Sequence, residues 1–287
     1  MLHIIANETA GSGAGAKVLK RVTQILDEKG LSYRVSPTSG PGDASRLASL
    51  AIENEDTDLI CLGGDGTIFE VVNGLQGRFA RLYFVPCGTG NDFVKVLDLP
   101  KDPVEALAKQ LEGTPHRIDV GRVNDHYFLN ESGGGFDVEV LKETRRFKKF
   151  GKGLVPYLFG LLTSLKSFRP LPVEIEADGH VKKTDVTVFI VGNGRYIGGG
   201  MKAAPHALID DGYFDVLVAD AMNRRTILKL LGKFIPGRHT SLPEVHEWRA
   251  KELVIRCPGM TVNLDGELLE MDEAHYELLP GALEIMA

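Results

Sequence analysis

The chain has 287 residues, 43% of them hydrophobic, which suits one large or two ordinary domains with ample core. A formal net charge of −6 argues against a protein dedicated to binding nucleic acid. The three cysteines follow no metal-binding or redox spacing, which favours buried thiols in a reducing compartment.

The first third of the chain alternates strand and helix patterns. Short apolar runs predict four strands, at residues 2–6, 33–36, 57–62 and 82–86. Between them, Asp43 is predicted to be the N-cap of a helix that carries Leu47, Leu50 and Ala51 inward. After them, the pair Asp102-Pro103 caps and opens a further helix that ends at Gly113. This alternation predicts a doubly wound parallel sheet, with ligand-binding loops at the carboxyl ends of its strands.

The pattern changes near His116 to alternating apolar and polar residues. The alternating runs fall at residues 116–130, 173–191, 213–218, 253–257, 260–264 and 276–279. They predict an antiparallel β domain, in the form of a sandwich. We therefore expect an α/β nucleotide-binding domain over residues 1–118 and a β-sandwich over residues 119–280. A tail at 281–287 could return to the first domain, and the sequence leaves that open.

The most informative segment is a glycine-rich corner that joins the third strand to a helix. It reads Gly63, Gly64, Asp65, Gly66, Thr67. The glycines let the backbone approach a ligand closely, and the amides of the following helix form an anion site. A carboxylate there would repel a bare phosphate, but it suits a divalent cation that bridges Asp65 and a polyphosphate. The corner predicts a nucleotide with Mg²⁺; the alternative is a glycine turn with a solvated or capping aspartate.

A second glycine-rich loop follows the fourth strand, with Thr89 between Gly88 and Gly90 and then Asn91 and Asp92. Loops that follow neighbouring parallel strands lie side by side, so this loop is expected beside the first. Two such loops, each with a carboxylate, can hold a phosphate chain and its metal between them. The alternative is an Asx turn that caps a helix.

The loop after the first strand satisfies a relaxed G-x-G-x-x-A dinucleotide fingerprint with Gly11, Gly13 and Ala16. That fingerprint also needs an acid about 20 residues later for the ribose hydroxyls, and residues 36–40 contain none. A Walker A loop fails as well, because Lys17 is preceded by alanine and followed by valine. Bound NAD is therefore disfavoured.

Several segments resemble the diacylglycerol kinase catalytic family, specifically its soluble bacterial lipid kinases. They occur in the family's order and cover nearly the whole chain: residues 63–75, 86–97, 118–124, 127–140, 198–216 and 263–269. GGDG alone also resembles the nucleotide loop of NAD kinases and phosphofructokinases. The segments LDGE and IDDGYFD, at 264–267 and 209–215, argue against an NAD kinase.

The resemblance implies an ATP site and a catalytic Mg²⁺. The implied nucleotide-binding residues are Asn7, Glu8, Thr9, Ala10, Gly11, Thr38, Gly63, Gly64, Asp65, Gly66, Thr67, Ile68, Phe69, Glu70, Thr89, Asn91 and Asp92. Among them, Asp65 and Asp92 would organise the Mg²⁺, directly or through water. The acidic pair Asp265 and Glu267 would face this site from the β domain. Glu267 is placed as the general base, although the sequence does not decide between the two.

The resemblance also implies a structural Mg²⁺, held by Asp211 and the carbonyls of Leu208 and Tyr213. The chain departs from the family at the first loop, where Asn-Pro-x-Ser-Gly is usual and residues 7–12 read NETAGS. A phosphate-directed cation could then come from Lys17. Phe69 replaces a usual asparagine. Glu131 stands where a small or apolar residue is common. None of these departures removes a carboxylate that the chemistry needs.

A basic segment suggests contact with a membrane. Its cations, against the single acid Glu143, are Lys142, Arg145, Arg146, Lys148, Lys149 and Lys152. An apolar run at 154–165 follows, far short of the roughly 18 residues that span a bilayer. We expect it to lie at an anionic interface or line the acyl-chain cleft, the alternative being a solvated helix and a core helix. No signal peptide is visible, so the expected location is cytoplasmic, peripheral to the inner face of the membrane.

The sequence thus predicts an ATP- and Mg²⁺-dependent lipid kinase that phosphorylates diacylglycerol. Phosphatidylglycerol, undecaprenol or a sphingoid base are alternative acceptors, because the acceptor pocket is not readable. An NAD kinase and a non-catalytic lipid-binding regulator are the competing classes. The expected partners are a lipid at the membrane surface and a second copy of the chain in a homodimer, with no nucleic acid.

Overall fold

A computed structural model describes residues 1–78, 80–147 and 154–287. Its N-terminal part is a parallel sheet in the order β2-β1-β3-β4. These strands are β1 (Leu2–Ala6), β2 (Tyr33–Pro37), β3 (Asp58–Gly63) and β4 (Arg81–Pro86). The helices are α1 (Ala10–Glu28), α2 (Asp43–Glu53), α3 (Asp65–Leu75), α4 (Asp92–Val96) and α5 (Pro103–Glu112). This alternation confirms the predicted α/β fold.

Of two helix caps predicted in this domain, one is confirmed and one is wrong. Asp102 caps α5 as predicted, because its carboxylate accepts the Val104 and Glu105 amides at 2.9 and 3.1 Å. The prediction that Asp43 is the N-cap of α2 is wrong. Gly42 is its N-cap, and the Asp43 carboxylate binds Ser39 instead.

The predicted inward face of α2 is also wrong at one position. Leu50 is 41% exposed, while Ala44, Ala48 and Ala51 are buried. A Cβ added at Gly74 of α3 would lie 2.2 Å from the Ser45 carbonyl oxygen. The two helices therefore approach so closely that only small side chains fit between them.

The C-terminal part is antiparallel, as predicted. Its strands are β5 (Pro115–Val123), β6 (His126–Phe128), β7 (Glu131–Gly135), β8 (Leu171–Ala177), β9 (His180–Gly192), β10 (Tyr196–Ile197), β11 (Met201–Lys202), β12 (Phe214–Asp220), β13 (Val245–Ala250), β14 (Glu252–Leu264) and β15 (Glu267–Met286). Three helices pack together on one face of β9 and β12: α6 (Phe136–Phe147), α7 (Leu154–Ser167) and α8 (Arg224–Phe234). Within the described ranges, no helix is long and apolar enough to cross a bilayer.

One long strand, β15, joins the parallel and the antiparallel strands into one continuous sheet. It pairs with β14 in its first half and with β5 further on. Its end runs parallel to β4, with Glu284 opposite Arg81. Leu283 and Ile285 thereby join the core of the α/β domain. Since β15 pairs with strands of both parts of the chain, the domain limits at 118 and 280 stay predictions.

Candidate active site

Three loops meet at the carboxyl edge of the parallel sheet. A Cβ added at Gly64, after β3, would lie 2.9 Å from the Cα of Gly88, after β4. One added at Gly11, in the non-helical stretch at the start of α1, would lie 2.4 Å from the carbonyl oxygen of Cys87. Gly11 also has a φ of +61°, in the left-handed region. Glycine is needed here because the loops touch through their backbones.

Asp65 connects the two glycine-rich loops. Its carboxylate accepts the amides of Asn91 and Asp92, both at 2.7 Å, at the start of α4. Burial raises the pKa of Asp65, and the neighbouring Asp92 carboxylate raises it further. The side chain is thus fixed in place and lies next to a second carboxylate.

Asp92 lies buried between the two domains. One of its oxygens accepts Lys95 Nζ at 2.9 Å, and the other accepts the backbone amide of Gly199 at 2.8 Å. Gly199 belongs to the short loop between β10 and β11. Lys95, one helical turn after Asp92, was not singled out from the sequence, although the i,i+3 spacing favours such a pair.

Asp265 and Glu267 lie at the turn between β14 and β15. The Asp265 carboxylate accepts the amides of Leu129, Asn130 and Glu131 at 2.7, 2.9 and 2.9 Å. Burial raises the pKa of Asp265 to about 6, against the lowering effect of those amides. These bonds make Asp265 an anchor for the turn.

Glu267 faces the N-terminus of α3. A Cβ added at Gly66 would lie 3.6 Å from Glu267 Oε1. Arg145 donates to Glu267 Oε2 at 3.2 Å and also to the carbonyl of Gly266. From sequence Arg145 is predicted to be a membrane cation, because nothing in the local pattern shows a contact across more than 100 residues.

The predicted nucleotide residues of the first loop form a compact group. Asn7 Nδ2 donates to Thr67 Oγ1 at 3.1 Å, and Asn7 Oδ1 accepts the Thr9 amide at 3.2 Å. Glu8 and Ala10 flank Thr9 in this loop. Thr67 is buried and lies against Gly63, where a Cβ would be 2.3 Å from its hydroxyl.

Three predicted nucleotide residues of α3 turn their side chains elsewhere. Ile68 packs in the α/β core, and Phe69 packs against the core of the β domain. Glu70 accepts the Gly42 amide at 2.8 Å and the Ala44 amide at 3.1 Å, so it caps α2. A nucleotide at this position would meet their backbone.

The remaining predicted contacts lie at the rim of the site. The Thr38 amide donates to the Ala6 carbonyl at 2.9 Å, at the end of β2. Thr89 is exposed. Asn91 folds back on Gly88, accepting its amide at 3.0 Å and donating to its carbonyl at 2.9 Å. Its left-handed φ of +51° is one that asparagine tolerates.

The second implied metal site lies on the loop before β12. Asp211 accepts the Tyr213 amide at 3.1 Å and is paired with Arg249. Leu208 is exposed. A structural Mg²⁺ would have to compete with the Arg249 guanidinium for this carboxylate, so the site stays a prediction. Across the part of the chain that is described, no group of three or more His, Cys, Asp or Glu side chains converges to hold a metal.

Comparison with known proteins identifies the family of this chain. Residues 1–123 match the diacylglycerol kinase catalytic domain, and residues 132–287 match the YegS C-terminal NAD kinase beta sandwich-like domain. The diacylglycerol kinase of Bacillus subtilis is 33% identical over 92% of this chain and 89% of its own length. A probable lipid kinase YegS-like of Klebsiella pneumoniae is 33% identical over 95% of this chain and 92% of its own.

A solved structure shows the same fold. The crystal structure of a diacylglycerol kinase from Bacillus anthracis superposes with a TM-score of 0.77. It is 25% identical, and the match covers 99% of this chain and 96% of that one. These matches confirm the resemblance drawn from the sequence motifs. The chain belongs to the diacylglycerol kinase catalytic family and is a lipid kinase.

Proposed function

We propose that this lipid kinase transfers the γ-phosphoryl group of ATP to the hydroxyl of diacylglycerol, with Mg²⁺, and forms phosphatidic acid. The observation that carries the proposal is the position of Glu267. Its carboxylate faces Gly66 at the N-terminus of α3, where a Cβ added to the glycine would lie 3.6 Å from Oε1. The proposed base, in the β domain, thus faces the glycine-rich loops of the α/β domain.

The phosphate chain would bind where the three glycine loops meet. The first amides of α3 have no intrahelical partner and carry the positive end of the helix dipole. Lys95 and Arg145 are the cations that contact carboxylates of the site. Phosphoryl transfer depends mainly on positioning and charge neutralisation, which these groups can supply.

The acidic residues of the site suit a divalent cation. Asp92 raises the pKa of Asp65, and Asp65 raises that of Asp265, so the carboxylates repel one another. Asp65 and Asp92 would hold Mg²⁺, directly or through water, together with phosphate oxygens. Bound there, the ion would neutralise charge on the phosphate oxygens.

Glu267 is the proposed general base. A lipid alcohol has a very high pKa, so its proton must leave as the bond from its oxygen to the γ-phosphorus forms. Glu267 takes that proton, the bond to the bridging oxygen breaks, and ADP leaves. Asp265 is less suited, because its two oxygens already accept three backbone amides.

The test is phosphorylation with labelled ATP, Mg²⁺ and a panel of diacylglycerol, phosphatidylglycerol, undecaprenol, sphingosine and NAD. Labelled phosphatidic acid as the main product supports the proposal. Glu267→Gln should lower kcat by about 10²–10⁴-fold and leave KM for ATP nearly unchanged, since it removes only the proton acceptor. The matched control is Glu270→Gln, an exposed glutamate on the same strand.

The other outcomes identify the competing functions. Another labelled lipid reassigns the acceptor within the class. Labelled NADP would show a nucleotide kinase, and vesicle binding without any transfer would show a regulator. Full turnover by Glu267→Gln would remove Glu267 from the role of base, whichever acceptor is found.

A further inference from the structure

A buried glutamate lies behind the turn that carries Glu267. Glu131, at the start of β7, is only 2% exposed. No described cation pairs with it, and its Oε2 has no hydrogen-bond partner among the described residues. Burying a carboxylate in this way is costly, so its contacts need an explanation.

Glu131 holds the turn in two ways. Its backbone amide donates to Asp265 Oδ1 at 2.9 Å, and its carbonyl accepts the Asp265 amide at 3.0 Å. Its Oε1 accepts Asn263 Nδ2 at 2.7 Å. Asn263 Oδ1 in turn accepts the Gly266 amide at 2.9 Å. A chain of hydrogen bonds therefore runs from the glutamate side chain to the residue before Glu267.

Glu131 matters because it sets the orientation of the Asn263 side-chain amide. An amide side chain has a donor end and an acceptor end, and only the acceptor end can bind the Gly266 amide. Glu131 Oε1 takes the donor end, with the Asp137 carboxyl as a second acceptor close to Asn263, and so holds this orientation. Without an acceptor there, the amide could turn over and present two donors to Gly266.

The turn needs such support because its backbone is unusual. Asp265 has a φ of +48° and Gly266 a φ of +94°, both in the left-handed region. An aspartate in that region is uncommon and depends on the contacts around it. The three amides on Asp265 and the bond from Asn263 to Gly266 are those contacts.

We propose that Glu131 is a positioning residue that, through Asn263, orients the turn and aims the Glu267 carboxylate at the N-terminus of α3. The inference rests on the proposed role of Glu267 as the base. Burial, followed by the nearby Asp137, raises the pKa of Glu131 well above its usual range. A protonated carboxyl still accepts from Asn263, so the contact does not depend on the charge.

The test compares Glu131→Gln, which keeps an acceptor oxygen, with Glu131→Leu and Glu131→Met, which do not. The glutamine variant should keep kcat within about threefold. The leucine and methionine variants should lose about 10–100-fold in kcat, with KM for ATP within about twofold, because the nucleotide loops lie in the other domain. The two apolar variants are carried in parallel because they fill the space differently.

Thr187→Val is the matched control for a buried polar group made apolar. Thr187 is fully buried in β9 and bonds the Asp220 carbonyl at 2.8 Å, away from the turn. It should lose stability without losing kcat. A kcat in the apolar variants equal to that of the wild type would overturn the proposal, as would an equal loss in Glu131→Gln. Glu267→Gln with full activity would instead overturn the base assignment on which the inference rests.

Discussion

Asp265 and Glu267 lie two residues apart in one turn and meet different surroundings. Asp265 is held by three backbone amides, whereas Glu267 keeps an oxygen facing Gly66. Environment, and not residue type, therefore separates an anchor from a candidate base. The same reasoning applies to Asp137, whose two carboxylate oxygens are buried.

Asp137→Asn should stabilise the protein at neutral pH. Burial raises the pKa of Asp137 from 3.8 to about 6, so the folded state binds its proton more tightly than the unfolded state. Stability then falls as pH rises from about 4 to 6, and the loss persists above that window. We expect a gain of about 1–2 kcal/mol at pH 7.5 that shrinks toward zero near pH 4.

Urea unfolding at pH 7.5, 6 and 4.5 measures this window. Asp125→Asn, at an exposed aspartate, is the control and should show no such trend. A gain for Asp137→Asn that is the same at all three pH values would argue against a shifted carboxyl.

The contact between the two glycine-rich loops was predictable, because loops that follow neighbouring parallel strands lie side by side. Asp65 and Asp92 were expected to lie together and do. What the sequence could not give were pairings across the chain, such as Arg145 with Glu267 or Glu131 with Asn263. Those depend on how β7, β14 and α6 pack, which no local pattern encodes.

At the scale of elements, the N-terminus of α3 is the part of the site where one added side chain can fill the space proposed for the phosphates. Gly66 is exposed, and its added Cβ would make only an ordinary contact at 3.6 Å with Glu267 Oε1. By contrast, a Cβ at Gly64 would clash with the Gly88 backbone at 2.9 Å. Gly66 is therefore the position where space for the phosphates can be tested without breaking the fold.

Gly66→Ala should fold normally and lose about tenfold or more in kcat/KM for ATP, because the methyl group enters the gap between α3 and Glu267. Its free energy of unfolding should stay within about 1 kcal/mol of the wild type, since alanine suits a helix. Gly232→Ala in α8 is the control, where no heavy atom lies within 4 Å of the added Cβ. Steady-state kinetics measures the loss of activity, and urea unfolding measures stability. Unchanged activity in Gly66→Ala would contradict the idea that the phosphates bind in this gap.

The end of β15 is an element whose role the sequence left open. Ile285 is fully buried beside β4, whereas Leu50, expected inward on α2, is 41% exposed. Ile285→Ala should cost about 2–4 kcal/mol of unfolding free energy, because it leaves a cavity in the α/β core. Leu50→Ala should cost less than about 0.5 kcal/mol. Equal losses in urea unfolding would mean that the end of β15 does not stabilise the first domain.

For the whole molecule, the order and type of elements followed from periodicity, but the connection between domains did not. The sequence predicts a run at 276–279 and a separate tail at 281–287, whereas the structure has one strand with a register shift between Leu279 and Leu283. A register shift of this kind cannot be recognised from the alternation of apolar and polar residues along the chain. The expected homodimer stays a prediction.

The membrane contact also belongs to this scale, and it stays a prediction. Lys142 bonds Thr261 and Glu139, Arg145 bonds the turn at Glu267, and Arg146 pairs with Glu143. Lys148, Lys149 and Lys152, the other half of the predicted basic segment, lie outside the described residues. We propose that these three lysines contribute to docking on an anionic bilayer.

Replacing Lys148, Lys149 and Lys152 together by alanine should weaken binding to vesicles with anionic lipid by about tenfold or more, because each cation near such a surface contributes ~1 kcal/mol. Binding to neutral vesicles should not change, and added salt should shrink the difference. Turnover of a short-chain diacylglycerol in detergent should stay normal, which separates docking from catalysis. The charge-matched control replaces three exposed lysines elsewhere, Lys20, Lys101 and Lys182. If both triple variants lose the same affinity in vesicle sedimentation, net charge and not this segment directs the protein to the membrane.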